Sequence, residues 1–223
     1  MTAALTLRRD EKDPRWFGLY RATVADPVDP QSEGRVKVTF VAPGSPVRGR
    51  AEAWATLLTP HAGDGQGFQA MPDVGAQVMI AFEAGDPDRP CVVGACWGAG
   101  HKPPEAVQAG HPMRTWTSRA GSVLRFDDAP GAARATIATP GGQRLVLDEA
   151  ADEIVIEHRS GCRIRLTSSG EVVIDAGSAL KISASTVKVD AGMVQCSGVL
   201  KCDTLIANSV VASSYTPGAG SVW

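Results

Sequence analysis

Aromatic side chains disappear from this chain after Phe126 and return only at Tyr215. Such a stretch cannot build the thick core of an ordinary globular domain, which leans on large rings for buried area. Proline thins out in parallel: fourteen of the fifteen prolines lie at or before Pro140, and the one later is Pro217. A proline inside a paired strand removes a ladder donor, so its absence leaves the later half open to continuous pairing. The chain also lacks an apolar run long enough to span a bilayer, and residues 1–13 have neither the apolar core nor the cleavage signal of a secretion leader. Synthesis and assembly in the cytoplasm are therefore expected. A formal charge of -2 lacks the basic excess of a general nucleic-acid binder. The five cysteines are odd in number, and Cys162, Cys196 and Cys202 fall in an apolar phase. They read as small buried hydrophobes in a reducing compartment, not as a disulfide framework.

What the later half does contain is alternation. From Cys162 to Ala212 apolar and polar residues alternate in short runs separated by small turn formers, the period of strands with one apolar face. Ile156, Ile164, Ile174, Ile182, Val189 and Cys196 recur at intervals of roughly eight, one short strand and one tight turn per step. A stack this thin cannot cover its own apolar face or its own edges, so it needs neighbours. The simplest neighbours are copies of the same chain. The expected architecture is an intertwined trimeric β-helix, a three-sided β-prism, with Ile164, Leu166, Ile174, Ile182, Val189 and Cys196 in its core.

The first half reads differently. Trp16–Val24, Arg35–Phe40, Ala53–Leu58, Gln77–Phe82 and Pro90–Ala95 are strand-like and are separated by turns rich in Pro, Gly and Asp. Five short strands in this span suggest a small closed barrel, making the whole chain all-β. Gly34-Arg35-Val36-Lys37-Val38, Trp54, Gly67-Phe68, Met71-Pro72-Asp73-Val74-Gly75 and Phe82-Glu83-Ala84-Gly85-Asp86-Pro87 follow in an order that resembles the barrel of spike proteins from contractile injection machines. Phage baseplate assembly protein V and the VgrG spike of type VI secretion are members. Leu124-Arg-Phe-Asp-Asp, Thr139 to Asp148 and Asp152 to Ile156 resemble the start of that family's needle.

The resemblance implies an OB-fold barrel acting as hub adaptor, with Gly34, Arg35, Trp54, Phe68, Pro72, Gly75, Gly85, Asp86 and Pro87 as its motif. It divides the chain into an N-terminal tail (1–14), barrel (15–98), linker (99–121), needle (122–214) and C-terminal cap (215–223). It further implies a homotrimer, a separate baseplate hub protein at the N-terminal end, and a target membrane contacted only mechanically. The particle would be a phage tail or an extracellular or cell-anchored injector. Only fifteen residues precede Trp16, so the hub is expected on another polypeptide. Tyr215, Pro217, Gly218 and Trp223 would close the last layer and receive a PAAR-repeat tip protein. Family members that sharpen their own apex carry a His-x-His pair for iron. This chain has no such pair, so no metal or cofactor is expected.

Physical readings of single residues accompany this. Gly75 and Gly85 suit turns with positive φ. Trp54, Phe68 and Phe82 suit core or interface packing. Asp127, Asp128, Asp148 and Glu149 follow strands, where carboxylates form solvated turns, and no nucleophile elbow occurs, so no enzyme is expected. The spacing of Cys91, Cys96, His101 and His111 is not that of a zinc site. Gly63, Gly65 and Gly67 read as a flexible loop lacking the Lys of a phosphate loop. The rival reading is an OB-fold binding module for single-stranded nucleic acid or glycan, using Trp16, Phe17, Tyr20, Arg35 and Lys37.

Overall fold

A computed structural model describes residues 15–42, 50–98, 100–107, 109–110 and 112–214. It falls into two units, Met1–Gly177 and Ser178–Trp223. All regular structure among the described residues is β, apart from one 3-10 turn at Glu83–Gly85.

The first unit opens with a closed barrel. Its strands are β1 (Tyr20–Asp26), β2 (Arg35–Val41), β3 (Arg50–Leu57), β6 (Gln77–Phe82) and β7 (Pro90–Ala95), and they close in the order β1-β2-β3-β7-β6. All neighbours are antiparallel except β3 and β7, which meet in parallel through Thr56 opposite Cys91 and Leu57 opposite Val92. Alternation does the sorting: Val36, Val38 and Phe40 of β2 and Val78, Ile80 and Phe82 of β6 point inward and are buried, with Ala22, Val24, Ala55 and Val92 completing the core. Trp16 and Tyr20 close one end over Phe40 and Phe82. The Trp16 and Phe82 rings meet edge-on at 4.9 Å between centroids. The first strand begins at Tyr20, later than its sequence pattern suggests, because Gly18 takes a φ of 100° and Trp16 turns aside to donate its N–H to the Gly85 carbonyl at 2.7 Å. The glycine-rich 63–67 segment is a tight hairpin of β4 (Ala62–Gly63) and β5 (Gln66–Gly67), not a loose loop. Gly67 has room only for hydrogen, since a Cβ there would sit 2.6 Å from the His61 carbonyl oxygen.

A second sheet of seven antiparallel strands follows: β8 (Met113–Thr117), β9 (Val123–Asp127), β10 (Arg134–Ala138), β11 (Arg144–Asp148), β12 (Glu153–Glu157), β13 (Arg163–Thr167) and β14 (Val172–Asp175), paired in chain order. Strand β8 lies within the stretch expected as linker. Prolines at 103, 104 and 112 flank the five-residue ladder without entering it, and they disguise its pattern. Turns at both sides of the sheet repeat one device, a glycine with positive φ: Gly121, Gly142 and Gly161 on one side, Gly131 and Gly170 on the other.

The second unit is described from Ser178 to Ser214. It carries no strand paired within the chain there, and every described residue in it is exposed. Ile182, Val189 and Cys196, expected in a trimer core, lie in this segment. Tyr215, Pro217, Gly218 and Trp223 lie outside the described residues.

Candidate functional site

The register of the seven-stranded sheet sorts its side chains into rows. One row runs Arg114, Phe126, Ala135, Leu147, Ile154, Leu166, Val172, and another runs Trp116, Leu124, Ile137, Leu145, Ile156, Ile164, Ile174. Both rows belong to one face, because residues two apart on a strand project the same way. Every position on it except Arg114 is apolar, yet the face is open: Trp116, Ile137, Ile156 and Ile174 are all at least half exposed. Ile156, Ile164 and Ile174, recurrent landmarks of the sequence, stand in a single file across β12, β13 and β14. Among the expected trimer-core residues, the sheet thus brings Ile164, Leu166 and Ile174 onto one surface.

The opposite face is charged and better covered. Arg134 pairs with Asp148, Arg165 with Glu153 at 3.3 Å, Arg163 with Asp175 at 3.5 Å, and Arg125 with Glu105 from the preceding loop. Long arginine stems lying along this face suit the burial of Val146, only 6 % exposed at its centre. The Asp148 carboxyl is held below its usual range by the Ala151 N–H and then by the Arg134 guanidinium. Asp127 accepts the Ala129 N–H at 3.1 Å, so two of the four carboxylates read from sequence as turn formers, Asp127 and Asp148, cap turns. A single chain that leaves its apolar face wetter than its charged face has an unfilled partner surface.

The barrel motif residues serve conformation. Gly34, Gly75 and Gly85 take φ of 75°, 86° and 81°. A Cβ on Gly85 would press on the Phe17 ring at 3.0 Å. Asp86 accepts the Asp88 N–H at 3.0 Å and holds the turn bearing Pro87. Arg35 is engaged by Asp29, a residue the sequence pattern did not single out. The Asp29 carboxylate accepts Arg35 Nε and Nη2 at 3.1 and 2.9 Å and the backbone N–H groups of Gln31 and Glu33 at 3.0 and 2.9 Å. The Arg35 guanidinium, helped by these backbone donors, holds that carboxyl far below the ordinary carboxylate range. The pair pins the β1–β2 loop, where Ser32 and Gly34 both have positive φ. The signal for it was local: an Asp-Pro step six residues before an arginine that opens a strand.

Lys37 is likewise paired, with Glu52 at 2.8 Å, which raises its ammonium pKa. Trp54 stands opposite Lys37 on the outer surface of the barrel, half-buried. Pro72 is half-buried in the loop before β6. Phe68 leaves the barrel core and meets Trp116 of β8 at 6.1 Å between centroids, while Asp73 pairs with Arg119 at 3.4 Å. Barrel and sheet therefore touch beyond their covalent connection. Cys91 is buried, its Sγ 3.5 Å from the Ala81 carbonyl. No grouping of three metal-ligating side chains occurs among the described residues, and no helix there is long and apolar enough to cross a membrane.

Two family models match the chain. One, the type VI secretion system/phage-baseplate injector OB domain, matches residues 20–97; the other, the phage baseplate V C-terminal trimerisation domain, matches residues 134–195. The chain is similar to the type VI secretion system spike protein VgrG4b of Pseudomonas aeruginosa, 29% identical over 132 residues, which covers 53% of this chain and 16% of that protein. It is similar to the spike protein VgrG3 of Vibrio cholerae, 31% identical over 121 residues (48% and 12%), and to the actin cross-linking toxin VgrG1 of Vibrio cholerae, 30% identical over 128 residues (53% and 12%). The matches thus span only a small part of these relatives' length. With a closed injector barrel followed by a trimerisation domain whose apolar face stands open, the chain belongs to the family of VgrG-like baseplate spikes.

Proposed function

We propose that the chain is the central spike of a contractile injection machine, a phage tail or phage-tail-like particle, and works as a homotrimer that breaches a target envelope when a sheath contracts. The observation that carries this reading is the open apolar face of the seven-stranded sheet. Five-residue strands give a sheet about 17 Å wide, and three such sheets set as a triangle leave about 5 Å from each sheet to the axis, roughly the reach of a leucine or isoleucine side chain. From β10 to β14 the interior is filled by aliphatic groups, with Trp116 and Phe126 on the first two strands. Seven strands stack to about 30 Å at roughly 4.8 Å per step. In residues 178–214 pairing passes from one chain to the next, with Ile182, Val189 and Cys196 as trimer-core positions of that segment. That reading agrees with a segment of alternating sequence that finds no partner strand among the described residues of its own chain.

In this assembly the barrel docks on the baseplate hub, Tyr215, Pro217, Gly218 and Trp223 receive a PAAR-type tip protein, and the membrane is met only by force. No catalytic group is required. The alternative binding-module reading has less support, because Arg35 and Lys37, the cations it would use, are held by Asp29 and Glu52. The test is the solution mass of the purified full chain. A trimer is expected; a stable monomer overturns the spike reading.

A further inference from the structure

The two lateral margins of the seven-stranded sheet differ in charge. On one margin lie the turns 128–133, 149–152 and 168–171, which carry Asp128, Glu149, Asp152 and Glu171 and no lysine or arginine. On the other lie the turns 118–122, 139–143 and 158–162, which carry Arg119 and Arg159, with His158, and no aspartate or glutamate. All six of the named carboxylates and arginines are exposed. Most charges at the strand ends are already matched within the chain, Arg134 with Asp148 and Arg163 with Asp175, while Asp127 adds to the acidic margin. What is left over is segregated, acid on one margin and base on the other. Arg119 has a partner in Asp73, but that contact is 85% exposed on the arginine side and screened by water.

Resting on the trimer reading above, we infer that the acidic margin of one copy packs against the basic margin of the next, so that charge complementarity at the three corners of the prism closes the ring and sets all copies in the same direction. Rotation about the stacking axis brings unlike margins together at every corner. A copy turned end for end would bring like margins together, acid on acid and base on base, which opposes association. The apolar face alone lacks this discrimination, because isoleucine and leucine rows pack in either direction. Hydrophobic burial supplies the attraction, and the margins supply the orientation.

The experiment uses the full chain, refolded at low ionic strength and measured by solution mass, with near-ultraviolet circular dichroism of the barrel aromatics as the check on folding. The first variant reverses one margin, Asp128→Lys, Glu149→Lys and Glu171→Lys, three side chains without an ion pair among the described residues. The second reverses the other margin, Arg119→Glu and Arg159→Glu. The third carries all five changes. Each single-margin variant is expected to lose at least tenfold in trimer yield with the barrel signal intact, and to regain part of it in salt that shortens the Debye length. The five-change variant is expected to recover trimer, since unlike margins again face each other. Single-margin variants that assemble as well as the unaltered chain overturn the inference. So does a five-change variant that keeps its barrel signal and stays monomeric. The unaltered chain separates the two readings: if it is a monomer the trimer reading fails, and if it is a trimer indifferent to margin charge only this inference fails.

Discussion

The barrel and the seven-stranded sheet are written in the same alternating code and end in opposite states. Val36, Val38 and Phe40 in the barrel alternate as Ile154, Ile156, Ile164 and Leu166 do in the sheet. The barrel strands close on themselves, and Val36, Val38 and Ile80 reach zero exposure within one chain. The sheet strands run as an open meander, and their apolar file remains in water. Period-two patterning specifies a strand with two unlike faces; it does not specify who covers the apolar one. Turn length and closure decide that. In the barrel, the 58–76 excursion between β3 and β6 and the parallel contact of β3 with β7 bring the last strands back beside the first. In the sheet, each connection is a short hairpin, so no strand can return.

The sharpest way to break this contrast is Ile164→Asp. Three carboxylates would enter one dry layer of a trimer, an uncompensated burial of charge. Complete loss of trimer is expected, with the barrel's near-ultraviolet signal unchanged, as read by solution mass and circular dichroism. The converse is Ile80→Ala, which opens a cavity in a core belonging to one chain. It should cost about 2–5 kcal/mol of barrel stability in denaturant unfolding and leave the trimer mass intact. Equal sensitivity of assembly to both changes would erase the distinction between the regions.

Asp29→Asn acts on the barrel alone and through pH. The folded Asp29 carboxyl is depressed by Arg35, so its contribution is fully present above the ordinary carboxylate pKa of about 4 and is lost as pH falls toward its own, lower value. The unaltered barrel should therefore lose stability in that acid window, and the Asn variant should start lower and change less across it; parallel pH profiles of the unfolding midpoint would remove Asp29 as the cause. The smallest effect is expected from Arg163→Ala on the charged face. Its contact with Asp175 is exposed, and pairs of that kind contribute under about 1 kcal/mol, so the melting temperature of the assembled protein should barely move.

The β2, β6 and β7 boundaries were readable from alternation and flanking turn residues, as was the need of the later half for neighbours. Strand β8 was not, because its Met-Arg-Thr-Trp-Thr lies among prolines and carries one apolar face position where later strands carry two. The Asp29–Arg35 staple was hidden because both residues look like ordinary loop charges until the turn folds them together. Phe68 was assigned to packing without its partner, Trp116, since 48 residues of sequence separate two rings that only the folded chain brings together. Charge segregation between the sheet margins emerges only when turns are numbered alternately, which requires the strand count to be known.

The Phe68–Trp116 contact and the Asp73–Arg119 pair have a mechanical meaning. They brace the barrel against the first hairpin of the sheet, in parallel with the chain crossing at 98–112. Under compression the rings are pressed together and the brace shares the load with the covalent crossing. Under tension the rings separate, and the load falls on the crossing and on the exposed Asp73–Arg119 pair. A joint of this kind is stiffer when pushed than when pulled, which is the response the proposed thrust would require.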